Sequence, residues 1–417
     1  MGSGARSRLS RSLGLADAVA IGVASMVGAG VFVVWAPAAA AAGGALLLGL
    51  MLAALVAWCN ATSSAQLAAQ YPSAGGTYVY GRERLGEWPG FLAGWSFVIG
   101  KTASVAAMAM TLAAYLAPDA WRVPVAVAAV WVMVGINLLG VTRTAKAAMV
   151  LAGLALLAIS VSLVLGWADA PERQGRLVAM PEGIEGWYGV LQSAGLLFFA
   201  FAGYARVATM GEEVRDPRRT IGRAIVTALG IVLVLYAVVA VSLLLLLGDE
   251  ALAAATAPMA LLVGDHPAAR AVLVTGAVAA VGGALLGLLS GIGRTWLAMS
   301  RAGDLPRFFD HTHPRTHVPH RIELALGVVL TVILLAADLR GAIGFSSFGV
   351  LLYYLVANVA AYTQGPTERR YAKAWQVLGA ALCVTLVATL PWQSIVGGLG
   401  VLGAGILWRR LGMATLR

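Results

Sequence analysis

The chain alternates long apolar runs with short polar connections along its whole length. The runs have about the 17 to 25 residues with which a helix crosses the hydrocarbon core of a bilayer. Runs of this length indicate helices rather than strands. We therefore predict twelve membrane-spanning helices, at residues 14–40, 43–68, 89–117, 122–141, 145–168, 186–211, 221–248, 269–300, 321–338, 341–363, 374–391 and 393–411. Because twelve is even, both termini are expected on one side of the membrane.

The composition is that of a protein built almost wholly of membrane spans. Hydrophobic residues make up 60% of the 417 residues and charged residues 12%, about half the charged fraction of a soluble domain, which is ~25%. Arginines before the first apolar run resemble the start of a signal peptide, but the run is too long and many spans follow it, so we expect a retained first span. The prediction is an all-α polytopic membrane protein without a soluble domain.

Basic residues are distributed unequally between the two sides of this layout. Of the 29 Lys and Arg residues, 22 fall on the side of the termini and 5 on the other side, while Lys101 and Arg206 lie within spans. Cytoplasmic loops of membrane proteins carry such an excess, so both termini are expected in the cytoplasm, with the chain in the plasma or inner membrane. The excess of basic residues in cytoplasmic loops then explains the net charge of +10, and we do not predict nucleic acid as a partner.

The first span is interrupted in its middle by Gly28-Ala29-Gly30. Glycine is poorly suited to a helix interior, and in a membrane span it allows either close helix packing or a break in the helix. A break within lipid must be buried in protein or line a wet cavity, because unpaired backbone groups cost several kcal/mol each. The stretch by itself leaves both interpretations open.

A matching interruption lies five spans later, where Gly203 follows the aromatic run of the sixth span. Corresponding broken helices in the two halves of a chain indicate the binding site of a secondary transporter. The N-terminus of a half-helix offers free N–H donors to a carboxylate, and free carbonyls at a half-helix C-terminus suit an ammonium group. The match therefore favours a break, and the two breaks together suit a zwitterion.

Three polar side chains within the spans are candidates for coupling or gating. Lys101 lies deep in the third span, where an ammonium group is expensive and normally faces a partner or a cavity, so we favour a functional role over a snorkelling lysine. Ser290 either offers its hydroxyl to an ion or bonds its own backbone, and we favour the second. Tyr353 in the tenth span needs a partner for its hydroxyl and is expected to face the bundle interior.

Other kinds of chemistry are not indicated. Four histidines between residues 311 and 320 share their segment with prolines and have no thiolate nearby, which is typical of a polar loop. Cys59 and Cys383 lie in separate spans and are expected to be buried thiols. The chain contains no phosphate loop, catalytic triad, metal-ligand set or paired intramembrane carboxylates. We predict no enzyme activity, no metal and no cofactor, and the absence of intramembrane carboxylates weakens a conventional acidic proton relay.

Short motifs spread from the first span to the tenth resemble those of amino acid permeases of the amino acid–polyamine–organocation superfamily. Each motif is short, but their order and spacing together are specific. They are Val27-Gly28-Ala29-Gly30-Val31-Phe32, Tyr71-Pro72 with Gly75-Gly76-Thr77-Tyr78-Val79-Tyr80, Gly90-Phe91 with Gly94-Trp95, Phe199-Ala200-Phe201-Ala202-Gly203-Tyr204 with Gly211-Glu212-Glu213-Val214-Arg215-Asp216-Pro217, Ala298-Met299-Ser300-Arg301 with Gly303-Asp304-Leu305-Pro306, and Tyr353-Tyr354 with Asn358.

The resemblance implies the leucine-transporter fold, an inverted five-plus-five repeat in which the first and sixth helices are discontinuous. On this chain it implies a cytoplasmic N-terminal segment, a first repeat of five helices, a second inverted repeat, two peripheral helices and a cytoplasmic tail, at residues 1–13, 14–168, 186–363, 374–411 and 412–417.

The resemblance also implies a secondary transporter that moves amino acids by alternating access. Transferred to this chain, the substrate carboxylate would meet backbone N–H groups around Ser25, Met26, Gly28, Ala29 and Gly30. The substrate ammonium group would meet carbonyl groups around Phe199, Ala200 and Ala202. Selectivity for the side chain would come from Phe201, Tyr204 and residues of the third, eighth and tenth spans.

The chain departs from the family pattern at two places. Some permeases of this group carry a lysine in the fifth span in place of a sodium ion, but residues 147–168 contain none, so we hypothesise that Lys101 takes over proton coupling. Ala65-Gln66-Leu67 stands where many relatives have a glutamate. Proton symport, sodium symport and exchange for a counter-substrate all stay open. There are two rival functions. One is transport of an organic cation or polyamine, which is disfavoured because no span has an acidic residue near its midplane. The other is amino acid sensing without transport.

Overall fold

The computed structural model describes residues 13–28, 30–72, 75–140, 145–169, 180–208, 210, 213–316 and 318–414. Nearly all of these residues are helical, and the strand pairing among them is limited to an isolated bridge between Leu13 and Val214. The prediction of an all-α chain is confirmed for this part of the sequence.

The described residues form eighteen α-helices. In chain order they are α1 (Leu15–Val27), α2 (Gly30–Val33), α3 (Trp35–Ala42), α4 (Leu46–Gln70), α5 (Gly76–Leu85), α6 (Glu87–Leu116), α7 (Arg122–Leu138), α8 (Ala145–Asp169), α9 (Gly183–Phe201), α10 (Ala205–Ala208), α11 (Pro217–Leu247), α12 (Asp249–Ala254), α13 (Pro258–Val263), α14 (Pro267–Arg301), α15 (His320–Ala336), α16 (Leu339–Tyr362), α17 (Lys373–Thr389) and α18 (Trp392–Ala414).

Ten segments of the described chain are long and apolar enough to cross a membrane, so the protein is a polytopic membrane protein. Each of the twelve predicted spans overlaps a helix, but two of those helices are short. The predicted spans 321–338 and 374–391 correspond to α15 and α17, with 17 residues each. At 1.5 Å per residue such a helix rises ~26 Å, slightly less than a hydrocarbon core of ~30 Å. The ten segments include Trp35–Gln70 as one apolar stretch of 36 residues, since only a short turn separates α3 from α4.

The helices form a buried centre and a lipid-facing periphery. In the most apolar part of α6, 83% is buried inside the bundle, whereas in the most apolar part of α18 only 22% is buried. Small residues allow the central helices to approach closely: a Cβ atom added to Gly349 on α16 would lie 2.7 Å from the Gly100 Cα atom on α6. This contact holds the neighbouring residue, Lys101, inside the centre of the bundle, where it is 6% exposed.

Contacts between chain segments agree with the predicted alternation of sides. The Leu13 N–H donates to the Glu213 carbonyl at 3.1 Å, and the Arg215 N–H donates to the Leu13 carbonyl at 2.9 Å. The residues before the first span and after the sixth span therefore lie on the same side, as an even number of crossings requires. On the predicted opposite side, His266 Nε2 lies 2.8 Å from Asp169 Oδ2, which joins the end of the fifth span to the start of the eighth.

Candidate functional site

The first span consists of more than one helix, and Gly28 and Gly30, which the sequence marks, lie where α1 and α2 meet. The helix α1 ends at Val27, Gly28 follows it, and α2 begins at Gly30; Ala29 lies outside the described residues. The Gly28 N–H donates to the Ala24 carbonyl at 3.0 Å, so it still belongs to the last turn of α1. The first N–H groups of a helix have no partner within it, and the free donors therefore begin at Gly30.

Two residues expected to offer N–H donors do not have free ones. Ser25 and Met26 lie inside α1, whose backbone ladder uses their N–H groups. Their carbonyl groups lie near the end of the helix instead: the Ser25 carbonyl lies against Gly203 of the sixth span, and the Met26 carbonyl accepts the Tyr236 hydroxyl of α11. This half of the site therefore contains donors at the start of α2 and acceptors at the end of α1, rather than a uniform row of donors.

The sixth span is interrupted by a tight turn rather than by an unwound segment. The helix α9 ends at Phe201, a 3₁₀ turn covers Ala202–Tyr204, and α10 continues the span. The Ala202 N–H donates to the Phe199 carbonyl, which is the tighter spacing of a 3₁₀ turn. The change of helix type frees the Ala200 and Ala202 carbonyls to accept hydrogen bonds from side chains.

The two breaks touch each other through their backbones. A Cβ atom added to Gly203 would overlap the Ser25 carbonyl oxygen and lie 2.7 Å from the Met26 nitrogen. A Cβ atom added to Gly30 would lie 2.5 Å from the Ala200 Cα atom. At both crossing points only glycine allows this approach. The predicted halves of the site are thus brought together, with their backbones in direct contact.

Tyr236 on α11 joins the two breaks and was not identified from the sequence. Its hydroxyl donates to the Met26 carbonyl at 2.8 Å and lies 3.2 Å from the Ala200 carbonyl oxygen. Its ring packs edge-on against Trp35 and Phe201, with ring centroids 5.8 and 5.1 Å away. A tyrosine within an apolar span needs a hydroxyl partner, which was the available signal, although the sequence does not show which partner it has.

Lys101 reaches the break of the sixth span. Its ammonium group donates to the Ala202 carbonyl at 3.4 Å. In the described part of the chain no carboxylate oxygen lies within 4.0 Å of this ammonium. The lysine therefore brings a buried positive charge to one of the carbonyls that the sequence assigned to the substrate ammonium.

The other two coupling or gating candidates lie at different places. The Tyr353 hydroxyl accepts the Thr77 N–H at the start of α5, at 3.0 Å. Its ring contacts Tyr354 at 5.1 Å, and Tyr354 contacts Tyr204 at 5.2 Å, so an aromatic chain connects α5 to the break. Ser290 is half-buried on α14. The Ala284 methyl group of the same helix faces Gly28, and Ser290 lies six residues further, a rise of ~9 Å along the helix axis.

Glu323 is a buried carboxylate near the start of the predicted ninth span. Glu323 lies in the first turn of α15 with only 1% exposure. The Asn137 side-chain amide donates to its Oε2 atom at 3.3 Å. A Cβ atom added to Gly293 would lie 3.0 Å from its Oε1 atom. Its burial depends on contacts with Asn137 of α7 and Gly293 of α14, which the local sequence does not show.

The predicted histidine and cysteine segments show ordinary packing. The rings of His313 and His320 stack with centroids 4.3 Å apart, and His317 lies outside the described residues. Among the described residues no group of three or more His, Cys, Asp and Glu side chains is arranged to hold a metal ion. Cys59 and Cys383 are buried free thiols, which confirms the prediction made for them.

A buried charge cluster closes the end of the bundle on the side of the termini. Asp304 accepts hydrogen bonds from Tyr78 at 2.8 Å and Arg82 at 3.0 Å, and its other oxygen lies 2.9 Å from Arg409 Nε. These four residues are the Asp304 cluster. Burial, and then the neighbouring Asp304 carboxylate, raise the pKa of the Tyr78 hydroxyl above its usual value, so the tyrosine keeps the proton that it donates. The cluster ties α5 to the end of α14 and to α18.

Replacing Asp304 by asparagine should destabilise the protein strongly. The Asp304 and Arg409 side chains are only 3% and 4% exposed, and removing one partner of such a buried pair typically costs about 3 kcal/mol or more. Among the polar contacts described, Arg409 would keep only those with the Glu87 carbonyl and carboxylate, at 3.2 and 3.5 Å. We expect the thermal unfolding midpoint in detergent to fall by several degrees. The matched control is Asp310→Asn, which removes the half-exposed pair with Arg301 and should change little. Equal midpoints for both variants would contradict a structural role of the cluster.

Comparison with known proteins places this chain among membrane transporters. A family model described as amino acid permease matches residues 13–408. An uncharacterized transporter of Mycobacterium tuberculosis is 50% identical over 401 residues, which cover 95% of this chain and 90% of that protein.

More distant relatives carry names that state a substrate class. The cationic amino acid transporter 7 (chloroplastic) of Arabidopsis thaliana is 28% identical over 419 residues, covering 93% of this chain and 71% of that protein. The human cationic amino acid transporter 4 is 29% identical over 375 residues, covering 83% of this chain and 58% of that protein.

Proposed function

This chain belongs to the amino acid permease family within the amino acid–polyamine–organocation superfamily, and on that premise we propose that it is a secondary active transporter that works by alternating access. As an amino acid transporter it takes a small zwitterion as its substrate. The single observation that supports the finer proposal most is the backbone contact between the two breaks at Gly30 with Ala200 and at Gly203 with Ser25.

The proposed architecture is the inverted five-plus-five repeat with twelve spans. The repeats are residues 14–168 and 186–363, with two peripheral helices at 374–411, a leading segment at 1–13 and a tail at 412–417. Interruptions in the first and sixth spans support this division, because they stand at the same position in each half and lie against each other. The short helices α15 and α17 complete the twelve. The excess of basic residues supports cytoplasmic termini.

In the proposed site the substrate carboxylate binds the free N–H groups that begin at Gly30, next to Gly28 and Ala29, while the Gly28 N–H stays in the last turn of α1. The positive end of the α2 backbone favours an anion there. The substrate ammonium group binds the carbonyls of Phe199, Ala200 and Ala202. As the backbones touch in this structure, the two breaks must separate to admit a substrate, and their separation and closure are the local part of alternating access.

Lys101 and Tyr236 already occupy the acceptor half of this site. The Lys101 ammonium donates to the Ala202 carbonyl at 3.4 Å, and the Tyr236 hydroxyl lies 3.2 Å from the Ala200 carbonyl oxygen. An arriving substrate ammonium competes with Lys101 for the same carbonyl and repels its charge. Through this competition, substrate binding changes the position of the Lys101 side chain and thereby its protonation. We propose this as the basis of proton coupling. We assign Ser290 and Tyr353 subsidiary roles in coupling and gating.

Selectivity for the substrate side chain is proposed to reside in Phe201 and Tyr204, whose rings stand beside the break of the sixth span. A cationic amino acid is the substrate class suggested by the names of the more distant relatives. Against it stands the unpaired Lys101 charge, which favours a neutral side chain. The same charge disfavours a polyamine, since no described carboxylate lies within 4.0 Å of Lys101 to offset additional positive charge.

Uptake by proteoliposomes tests the proposed function. A panel of labelled neutral, cationic and anionic amino acids is offered with an inward proton gradient, with a sodium gradient and with each amino acid preloaded. We expect accumulation of a neutral amino acid. Binding of an amino acid without flux under any of the three conditions would instead identify a sensor. The absence of both binding and flux for the whole panel would contradict the proposal.

Replacing Tyr236 by phenylalanine should weaken substrate binding while preserving the fold. The ring still packs on Trp35 and Phe201, but the Met26 carbonyl loses its hydroxyl donor, a loss of about 1.5 kcal/mol. We expect a roughly ten-fold increase in the half-saturating substrate concentration, measured as initial uptake rate. Tyr188→Phe, at an exposed position on α9, is the control and should behave as wild type. An unchanged half-saturating concentration for Tyr236→Phe would remove this residue from the site.

A further inference from the structure

Three arginines surround an open cavity on the side of the termini, away from both breaks. The cavity holds about 550 Å³ and is lined by Arg219, Gly222 and Arg223 of α11 and by Arg370 and Tyr371 of the segment before α17. We call it the arginine pocket. Its volume falls in the range of ~300–1,000 Å³ that is typical of ligand pockets.

The arginine pocket is a built feature of the fold. The Gln66 side-chain oxygen on α4 accepts the N–H groups of Arg370 and Tyr371 at 3.2 and 3.3 Å, and the Arg370 Nη1 atom donates to the Arg218 carbonyl at 2.5 Å. Both walls are thereby held in place. A Cβ atom added to Gly222 would lie 3.8 Å from the Ala65 methyl group, so the missing side chain at Gly222 leaves room at the base of the pocket.

The charge of the pocket calls for an anion. Among the described residues that line it there are three guanidinium groups and no carboxylate. Asp216 Oδ2 lies 3.9 Å from Arg219 Nε, and both side chains of that pair are mostly exposed, so it offsets little of the charge. The pocket also lies at the first turns of α11, where the helix dipole adds positive potential. Guanidinium groups match the paired oxygen atoms of a phosphate.

The position of the pocket indicates which kind of molecule carries that phosphate. At 31 residues, α11 rises ~46 Å, more than the ~30 Å of a hydrocarbon core. Its first turns therefore extend into the headgroup layer, on the side with the excess of basic residues. Basic pockets between membrane helices on the cytoplasmic side bind anionic lipid headgroups. We propose that the arginine pocket binds the phosphate of an anionic phospholipid of the cytoplasmic leaflet.

The bound headgroup would connect α11 to the segment before α17, and through Gln66 to α4. Because α11 also carries Tyr236, which holds the two breaks together, the lipid would stabilise the helix on which the substrate site depends. This lipid site is independent of the substrate site, so a failure of one proposal leaves the other standing.

The test measures the thermal unfolding midpoint of detergent-purified full-length protein as phosphatidylglycerol, phosphatidylcholine or inorganic phosphate is added. Arg223→Gln/Arg370→Gln removes two charges, and Gly222→Leu fills the base of the pocket without changing charge. Arg410→Gln, at an exposed position of α18, is the matched charge control. We expect phosphatidylglycerol alone to raise the midpoint of wild type and of Arg410→Gln, with the apparent affinity weakened roughly ten-fold or more in both pocket variants.

Several results would overturn this assignment. An undiminished response of both pocket variants to phosphatidylglycerol would show that the headgroup binds elsewhere. An equal loss in Arg410→Gln would show that net charge, not the pocket, attracts the lipid. A midpoint increase with inorganic phosphate as large as that with phosphatidylglycerol would assign the pocket to a free anion instead of a lipid.

Discussion

Replacing Gly203 by alanine is expected to abolish transport. The added Cβ atom would overlap the Ser25 carbonyl oxygen and lie 2.7 Å from the Met26 nitrogen, so α1 and the Ala202–Tyr204 turn would have to move apart. Both partners are backbone atoms, which cannot rotate away as a side chain can. A displacement of ~1 Å in a positioned site typically costs about a hundred-fold in rate, and we expect initial uptake to fall by at least that factor.

The control for this substitution is Gly291→Ala on α14, where an added Cβ atom has nothing within 4 Å. This variant should transport as wild type. Size-exclusion profiles and unfolding midpoints of both variants separate a damaged site from a misfolded protein. Full uptake by a folded Gly203→Ala would show that the contact between the breaks is not needed for transport. Gly28→Leu should likewise abolish binding while insertion into the membrane is preserved.

Replacing Lys101 by methionine is expected to uncouple transport from the proton gradient. Methionine keeps most of the side-chain volume but removes the ammonium group that donates to the Ala202 carbonyl at 3.4 Å. We expect accumulation driven by an inward proton gradient to fall by roughly ten-fold or more, as the loss of a charged hydrogen bond at a functional site implies. Exchange of internal for external substrate, which needs no proton, should fall less.

Lys373→Met supplies the control, because Lys373 is an exposed lysine at the start of α17 that lies over the Tyr362 ring. It should leave both accumulation and exchange unchanged. The measurement is uptake by proteoliposomes at several external pH values, with fixed internal pH. An unchanged pH dependence of Lys101→Met would exclude the lysine from coupling and leave it a structural role at the break.

The sequence predicts correctly those features that depend on one continuous segment of the chain. The length of an apolar run determines where a helix can cross a bilayer, and the spans predicted at 89–117 and 221–248 correspond to α6 and α11. Glycines within such a run mark the interruptions at Gly28–Gly30 and Gly203, because both effects are local to the chain.

The features that it misses depend on which helices meet. Tyr236 and Met26 are 210 residues apart, and no local pattern shows that one supplies the hydroxyl for the other. Lys101 was recognisable from its depth, but its partner Ala202 lies 101 residues away in the chain, and no local pattern identifies it. The burial of Glu323 depends on α7 and α14, which lie far away in the chain, so no local pattern shows it.

The contrast between local and long-range features also applies to Ser25 and Met26, where free N–H groups were expected but are used within α1. A glycine pair shows that a helix stops, but not at which residue the hydrogen-bond ladder ends. In the structure α1 continues through Val27, so the carboxylate donors shift toward Gly30. In the acceptor half, the Ala200 and Ala202 carbonyls accept hydrogen bonds from side chains; the family resemblance implied both residues, and their binding of a substrate stays a prediction.

The central claim is that the two breaks bind the two charged ends of one amino acid. It is tested most directly by competition against uptake of the best amino acid of the panel, using the amine that lacks its carboxylate and the acid that lacks its amino group. We predict that the intact amino acid competes and that neither analogue does so at a hundred-fold higher concentration, because each would leave one half of the site unsatisfied. Competition by the amine as strong as that by the amino acid would contradict the claim and identify a site for organic cations.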